Sequence, residues 1–289
     1  MFGNATTRRT TITRVSTVIV ATFASLLLAA CASSAPAGGA ATDGGTAGAP
    51  AKQESGVSLA QVKKAGELVI GTEGTYRPFT YAAGGSGALT GYDVDVITAV
   101  AKKLGVKPRF RETQWDAMFA GLNAGRFDVI ANQVSIDAAR KAVYSFSLPY
   151  TVSPGVLVVA DGSNIRSFKD LKGRSSAQSL TSDWYKVAKD AGANVQVVEG
   201  WAQAVELLKQ GRIDATVNDQ LTYLDYVQTQ GGDGIKVAAT AADPSRQAFP
   251  FRKGSNSLVA AVDKALTELR ADGTLASLST KYFGRDVSQ

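Results

Sequence analysis

Two stretches of this chain share one pattern of apolar and polar positions. Residues 115–133 read WDAMFAGLNAGRFDVIANQ and residues 201–219 read WAQAVELLKQGRIDATVND, with six identical positions and starts that are 86 residues apart. In each copy apolar side chains recur at i, i+3, i+4 and i+7, which predicts a helix with one buried face. Gly125 and Gly211 then supply a left-handed residue that ends the helix, and a short apolar strand follows.

Both predicted strands, at residues 127–131 and 213–217, end on polar residues: Asn132-Gln133 in the first copy and Asn218-Asp219 in the second. In open α/β sheets, ligands bind outside the carboxyl ends of strands. If each copy belongs to its own lobe, two similar half-sites face each other across a cleft that can close on a small ligand. The alternative is convergence, because a helix, a glycine turn and a strand recur in many α/β proteins.

The other apolar runs extend this interpretation. Residues 67–72 predict a first strand, and residues 91–104 predict a helix with an apolar face. We expect the chain to cross between lobes near residues 145–150 and again near residues 240–247. A last helix, with an apolar stripe over residues 258–269, is expected to return to the first lobe. Strands that alternate with helices indicate the α/β class.

The first 31 residues differ from the rest in charge and hydropathy. They contain three arginines and no acidic residue, and a mostly apolar run follows at residues 15–30, which is the order of an export signal. The run is short for a transmembrane helix of about 20 residues. Small residues precede Cys31, the one cysteine of the sequence. Residues 1–30 resemble a bacterial lipoprotein signal, which implies cleavage before Cys31 and acylation of its sulfur. The alternatives are an uncleaved anchor with an unpaired thiol and a twin-arginine signal at Arg8-Arg9.

Residues 31–56 are predicted to be the lipidated cysteine and a flexible tether. From Ala32 to Ser55 the sequence has no aromatic or branched aliphatic side chain, so it cannot form a core. Without the three arginines of the signal, 28 basic residues stand against 25 acidic ones, a net charge of +3. No basic run or aromatic-basic interleaving follows, so we do not expect nucleic acid as a partner.

Residues 91–104, GYDVDVITAVAKKL, match a pattern typical of family 3 solute-binding proteins, the amino-acid receptors of ABC importers. The resemblance extends from about Gly66 to Val287 through the blocks GTEGTYRPFTY, ETQWDAMFAGLNAGRFDVIANQ, SAQSLTS, NDQLTYLDY and DGTLASLSTKYFG. Several blocks look most like cystine-binding members. The resemblance implies an α/β, two-lobed periplasmic-binding-protein fold of type II with two hinge-strand crossings. Lobe 1 is expected at residues 57–151 and 244–289, and lobe 2 at residues 152–243.

The resemblance also assigns a carboxylate site. Arg140 stands where the family's arginine grips the ligand α-carboxylate, a task that suits the planar fork of a guanidinium. Ser135 stands where the family adds a hydroxyl and a backbone amide. Thr181 and Ser182 begin a helix whose free amides can bind the second carboxylate oxygen. The sequence alone favours a surface ion pair for Arg140, and the resemblance reverses this; Thr181 and Ser182 also fit ordinary helix capping.

An ammonium site is implied as well. Asp219 matches the family aspartate that takes the α-ammonium, since a buried cation needs an opposite charge. Glu73 stands where relatives often carry aspartate, which gives a second ammonium contact. The helix pattern also places Trp115 on a core face, and Asp93 is interpreted as structural. The remaining expected ligand contacts are the aromatic walls and two amides: Tyr76, Trp115, Asn132 and Gln133.

Together these expectations describe the substrate-binding lipoprotein of an ABC importer. It would be exported and anchored by its lipid, close on a polar L-amino acid, for which the resemblance favours cystine, and deliver that amino acid to a membrane permease. We expect a monomer without metal or cofactor. One alternative is an exported dehydratase on the same fold, which would have to work without histidine. Another is the ligand-sensing partner of a receptor.

Overall fold

The computed structural model describes residues 56–289, so the predicted signal, Cys31 and nearly all of the tether lie outside the described residues. Within this range the chain forms two five-stranded sheets with a two-stranded and a three-stranded sheet beside them. No helix in residues 56–289 combines the length and the apolar character needed to span a membrane. The alternation of strands and helices confirms the predicted α/β class.

Helices and strands follow one another along most of the described chain. The helices are α1 (Leu59–Ala65), α2 (Tyr92–Leu104), α3 (Trp115–Asn123), α4 (Ala138–Val143), α5 (Asp183–Asp190), α6 (Trp201–Lys209), α7 (Gln220–Gln230), α8 (Asn256–Ala271) and α9 (Thr274–Phe283). The strands are β1 (Glu67–Thr72), β2 (Thr75–Tyr76), β3 (Thr80–Ala82), β4 (Leu89–Thr90), β5 (Lys107–Glu112), β6 (Val129–Ile130), β7 (Tyr144–Phe146), β8 (Thr151–Ser153), β9 (Gly155–Ala160), β10 (Ser175–Gln178), β11 (Asn194–Val197), β12 (Ala215–Asp219), β13 (Ile235–Thr240), β14 (Ser245–Gln247) and β15 (Pro250–Arg252).

The first lobe is built on the sheet with strand order β5-β1-β6-β15-β7. Strand β1 runs parallel to β5 and β6, whereas β15 runs antiparallel to β6 and β7. The core on this sheet joins Leu68 and Ile70 of β1, Ile97 of α2 and Val262 and Leu266 of α8, all fully buried. The late helix α8 therefore returns to the first lobe, as its apolar stripe predicts.

The second lobe is built on the sheet with strand order β11-β10-β12-β9-β13. Strand β9 is apolar at successive positions because both of its faces are covered. Val156 and Val158 pack into one hydrophobic cluster, with α6, and Leu157 and Val159 pack into another on the opposite face. All four side chains are fully buried, so β9 anchors this lobe.

Along the chain, β8 and β14 each come between a strand of one large sheet and a strand of the other. They pair antiparallel, Ser153 with Ser245 and Thr151 with Gln247. Strand β14 falls within the second predicted crossing, residues 240–247, and β8 directly follows the first, residues 145–150. The lobe boundaries drawn there, at residues 151/152 and 243/244, stay a prediction.

The two repeat copies form α3 and α6, and both helices are followed by a glycine with φ of +68°. The strands after them differ from the prediction. β6 is only Val129–Ile130, whereas β12 continues to Asp219. The reason is pairing: β9 runs antiparallel along β12 up to the pair Gly155–Asp219, so Asn218 and Asp219 belong to the strand instead of following it.

Candidate functional site

A cavity of about 570 Å³ lies between the lobes. Its walls come from the carboxyl ends of β1, β6 and β12 and from the first turns of α3, α5 and α6. Eight of the ten predicted ligand-binding residues line it: Glu73, Tyr76, Trp115, Asn132, Gln133, Ser135, Arg140 and Ser182. Thr181 and Asp219 are not among the lining residues. The predicted residues thus converge on one cavity, with these two set apart.

Arg140 lies in α4, and its side chain is 11% exposed. The guanidinium donates through Nη1 to the carbonyl of Ser135 and through Nη2 to the carbonyl of Thr181, both at 3.0 Å. It also pairs with Asp137 of its own helix at 3.4 Å and with Asp183 of the other lobe at 3.0 Å. Its Cζ lies 5.6 Å from the ring centroid of Trp115. The arginine is therefore fixed at the cavity wall by both lobes.

Glu73 follows β1 and enters the cavity. Asn132, at the end of the neighbouring strand β6, donates to its carboxylate and accepts from its backbone N–H at 2.8 Å. Burial raises the pKa of Glu73 to about 7, although the hydrogen bond from Asn132 opposes this. A buried carboxylate with such a pKa is stabilised by a cation brought next to it. Glu73 is therefore suited to receive an ammonium group.

Asp219 is 1% exposed. Its carboxylate accepts from Ser153 Oγ at 2.6 Å and from the backbone N–H of Leu221 at 2.8 Å, so it caps α7 and ties β12 to the crossing strand β8. Burial raises its pKa to about 6. Its predicted contact with the ligand ammonium stays a prediction, since the structure shows Asp219 in a structural contact.

The start of α5 also has a structural role. Ser182 is the N-cap, and its hydroxyl accepts from the backbone N–H of Tyr185 at 3.1 Å. Thr181 donates through its backbone N–H at 2.9 Å and its hydroxyl at 2.8 Å to the carboxylate of Asp116, which lies in α3 of the other lobe. Capping therefore accounts for Ser182, and Thr181 joins the lobes.

Gln133 has φ of +51°, a conformation that L side chains adopt at a cost. Its backbone N–H donates to Asp93 at 2.5 Å, and Tyr150 donates to the same carboxylate at 2.9 Å. This bond fixes the backbone of Gln133, which agrees with a structural role for Asp93. The side-chain amide of Gln133 is buried and has no hydrogen-bond partner within residues 56–289.

Aromatic side chains form much of the cavity wall. The hydroxyl of Tyr76 donates to Asn218 of the other lobe at 2.8 Å. The three tryptophans of the sequence, Trp115, Trp184 and Trp201, all line the cavity. Trp115 belongs at the same time to the core cluster under α3, as its helix pattern predicts, and its contact with a ligand stays a prediction.

Several cavity residues are absent from the sequence prediction. Trp201 stands at the position of Trp115 in the second repeat copy, so the repeat itself could have identified it. No local pattern marks the others, which include Gln178, Asp183, Trp184 and Glu199. Among residues 56–289 there is no group of three or more His, Cys, Asp or Glu side chains that could hold a metal ion.

The chain is similar in sequence to known binding proteins. Residues 68–285 match the family of bacterial extracellular solute-binding proteins, family 3. The L-cystine-binding protein TcyA of Bacillus subtilis is 53% identical over 231 residues, which cover 80% of this chain and 86% of that protein. The L-cystine-binding protein TcyJ of Escherichia coli is 37% identical over 235 residues, covering 80% and 88%.

Among solved structures, the L-cystine solute receptor of Neisseria gonorrhoeae in its unliganded open conformation is 47% identical, with a TM-score of 0.56, covering 81% of this chain and all of that one. An ancestral arginine-binding protein bound to arginine is 36% identical, with a TM-score of 0.70, covering 76% and 99%. The more identical of these two chains has the lower TM-score.

Proposed function

Since this chain belongs to the bacterial extracellular solute-binding proteins of family 3, we propose that it is the substrate-binding protein of an ABC importer and that it binds a polar L-amino acid, best matched by L-cystine. The observation that carries this proposal is the cavity between the lobes, whose wall offers both a guanidinium and a buried carboxylate. Those two groups complement the two charges of an amino acid.

The charged ends of the ligand are assigned to Arg140 and Glu73. The guanidinium of Arg140 takes the α-carboxylate, with Ser135 beside it, because a planar fork of N–H donors matches two carboxylate oxygens. Glu73 takes the α-ammonium, and the approach of that cation offsets the cost of burying its charge. We also assign Asp219 to the ammonium end, as the family resemblance implies. The aromatic side chains Tyr76 and Trp115 enclose the aliphatic part.

The choice of cystine rests on two kinds of support. The relatives that are 53% and 37% identical are named L-cystine-binding proteins. The cavity, at about 570 Å³, has room for more than a small amino acid, and its wall carries further polar groups, among them Gln133, Gln178 and Glu199. These groups suit a ligand with a second polar end, which cystine has.

The proposed mechanism is closure of two lobes, with residues 57–151 and 244–289 in one and residues 152–243 in the other. A ligand that touches both lobes binds the closed form more tightly than the open one and so shifts the population toward it. The contacts between the lobes include the hydrogen bond from Tyr76 to Asn218 at 2.8 Å and the ion pair of Arg77 with Asp225 at 3.3 Å. A membrane permease then recognises the closed form.

We further propose that the protein is exported, acts as a monomer and is held at the membrane by a lipid on Cys31. The support is the signal-like order of residues 1–30 and the tether composition that follows. The curated relatives named above are binding proteins, and we assign no catalytic step to this chain. Replacing Cys31 with alanine should release the protein from the membrane fraction of cells that express it.

A thermal-shift panel of amino acids tests the function. A ligand that binds the folded protein raises its melting temperature by mass action. We expect L-cystine to give the largest rise and sugars to give none. The variant Lys141→Ala should respond to the same amino acids as the wild type does, because Lys141 is an exposed neighbour of Arg140 that does not line the cavity. A response to sugars alone would exclude an amino-acid receptor.

A further inference from the structure

The wall of the cavity carries more negative than positive charge. Its lining includes one guanidinium, that of Arg140, and four carboxylates, those of Glu73, Glu112, Asp183 and Glu199. Arg140 and Asp183 pair with each other at 3.0 Å. In the proposed complex the α-ammonium goes to Glu73, so Glu112 and Glu199 receive no cation from that end of the ligand. A ligand with a further positive charge complements this wall better than a ligand without one.

Glu199 lies in the second lobe, after β11 and just before α6. Its backbone is fixed, because its N–H donates to the side chain of Gln203 at 3.0 Å and its carbonyl accepts from Ser179 Oγ at 2.8 Å. Its carboxylate makes no hydrogen bond or ion pair with another part of residues 56–289. The dipole of α6 stabilises a negative charge at the start of that helix. Glu199 therefore offers the cavity a charged carboxylate on a fixed backbone.

Gln178 supplies a second oxygen at the same place. Strands β10 and β11 are parallel neighbours and Gln178 pairs with Val197, so Gln178 and Glu199 lie at the same edge of the sheet. Gln178 is 4% exposed and lines the cavity. Its Oε1 accepts no hydrogen bond from the part of the chain that the structure describes. A buried oxygen without a donor is costly, and an N–H group of a ligand would satisfy it.

The orientation of the Gln178 amide follows from its neighbours. Nε2 donates to Ser176 Oγ at 2.9 Å and to Thr216 Oγ1 at 3.5 Å. The hydroxyl of Ser176 already donates its one hydrogen to the carbonyl of residue 215 at 3.0 Å. The hydroxyl of Thr216 likewise donates to the carbonyl of residue 177 at 2.9 Å. Both hydroxyls can therefore only accept from the amide, so its nitrogen faces them and its oxygen is left for another donor.

We propose that Glu199 and Gln178 form a distal subsite, which takes a positively charged group, an ammonium or a guanidinium, at the far end of the amino-acid ligand. Both residues offer oxygen acceptors, which select N–H donors and cations over carboxylates. Glu73 of the first lobe and Glu199 of the second then each hold one cation of the same ligand. This inference rests on the proposed function, since it concerns the same cavity, and it adds a requirement on the ligand's side chain.

The charges of the two glutamates act on each other. Burial is the main cause of the raised pKa of Glu73, about 7, and the charges of Asp116 and Glu199 raise it further. Glu73 and Glu199 therefore repel each other across the cleft. A ligand that brings a cation to each of them relieves this repulsion at both ends. Because it contacts both lobes, such a ligand also favours the closed form.

Three disulfides test the distal subsite in calorimetric titrations. L-Cystine has an amino group and a carboxylate at each end. The mixed disulfide of L-cysteine with cysteamine keeps the far amino group and lacks the far carboxylate. The mixed disulfide of L-cysteine with 3-mercaptopropionic acid keeps the far carboxylate and lacks the far amino group. All three share one L-cysteine end, so differences in their affinities report on the far end.

The variants are Glu199→Gln, Gln178→Met and two controls. Glu206→Gln is the matched control, because Glu206 is an exposed glutamate of α6 that does not line the cavity. Glu112→Gln removes a carboxylate from the wall of the first lobe and so measures the effect of the cavity's overall charge. Thermal melts verify that each variant folds. Glu199 is exposed, so Glu199→Gln decides the result if Gln178→Met does not fold.

We expect the wild type to bind L-cystine and the cysteamine disulfide about tenfold more tightly than the mercaptopropionate disulfide, the lower end of the range for a charge-assisted contact. Glu199→Gln should weaken the first two about tenfold and leave the third unchanged. Gln178→Met should show the same pattern with a smaller loss, and Glu206→Gln should bind all three as the wild type does. L-Lysine should bind more tightly than L-glutamine, and the tighter binder of L-lysine and L-cystine identifies the source of the far cation.

Other results would overturn the proposal. Equal binding of the two mixed disulfides would remove the distal subsite and leave the amino-acid receptor intact. Tighter binding of the mercaptopropionate disulfide would show that a carboxylate is held at the far end. Equal losses in Glu199→Gln and Glu112→Gln would show that the charge of the whole wall selects the ligand. If the wild type binds no amino acid at all, the proposed function fails, and the distal subsite fails with it.

Discussion

Replacing Arg140 with alanine is expected to remove nearly all amino-acid binding. In the proposed complex the guanidinium makes two N–H···O contacts to the ligand carboxylate, and a charge-assisted contact contributes about 1.5–3 kcal/mol. The lower end of this range applies, because the guanidinium already pairs with Asp183 at 3.0 Å. A net loss of about 3 kcal/mol remains, which corresponds to roughly a hundredfold in affinity.

The assay is isothermal titration calorimetry with L-cystine on the wild type, Arg140→Ala and Arg140→Lys. Lysine keeps the charge but loses the planar fork, so the affinity of Arg140→Lys for L-cystine should lie between those of the other two proteins. Lys141→Ala, which removes a positive charge from the adjacent exposed position, should bind like the wild type.

Far-UV circular dichroism and a thermal melt establish that each Arg140 variant is folded. This control matters because Arg140 also donates to two backbone carbonyls, one in each lobe. An Arg140→Ala protein that folds and binds within threefold of the wild type would refute the assignment of Arg140 as the carboxylate grip.

Burial and charge lead to three further expected outcomes. Burial raises the pKa of Glu73 to about 7, so affinity should rise as the pH increases from 6 to 8 and this carboxyl becomes charged; Glu73→Gln should flatten that rise, and an unchanged profile would contradict its role. Burial also raises the pKa of Asp93 from 3.8 to about 7, so its protonated form stabilises the fold fully below about pH 4, and that stability is lost as the pH rises through 7. For this fully buried group the loss is on the order of 4 kcal/mol. Chemical denaturation should therefore show a smaller decline in unfolding free energy between pH 4 and pH 8 for Asp93→Asn than for the wild type, and an equal decline in the two proteins would contradict this role of Asp93. Because the three tryptophans of the chain line the cavity, L-cystine should change the intrinsic fluorescence, and a saturating ligand without any spectral change would place it elsewhere.

The elements that the sequence predicts well are those with a local signal. The apolar spacing from Trp115 and from Trp201 identifies α3 and α6, and the glycines after them have the left-handed conformation that ends each helix. The apolar face of α8 likewise predicts a long buried contact, because such a stripe requires a large partner surface. The helix makes this contact with the core of the first lobe. The carboxyl end of β12 is less well predicted, since its length depends on pairing with β9.

The same distinction between local signals and distant contacts applies to the cavity residues. Glu73 follows a strand that the apolar pattern predicts, and Arg140 stands where the family resemblance implies a ligand arginine; both line the cavity. Asp219 turns instead toward Ser153, because a crossing strand that is distant in sequence offers a hydroxyl at 2.6 Å. The contacts of Asp116 and Asp183 depend on how closely the lobes approach each other. No spacing within the sequence encodes that approach, so it could not be predicted.

The proposed function requires that one amino acid be held at both of its charged ends between the lobes. Calorimetric titration of the wild-type protein with L-cystine and with its dimethyl ester is the sharpest test, because the ester keeps both amino groups and has no carboxylate for Arg140. We expect a dissociation constant in the micromolar range or tighter for the acid, about −8 kcal/mol or more favourable, and binding at least a hundredfold weaker for the ester. Equal affinity for the two compounds, or no heat with the acid, would show that the ligand is not held in this way.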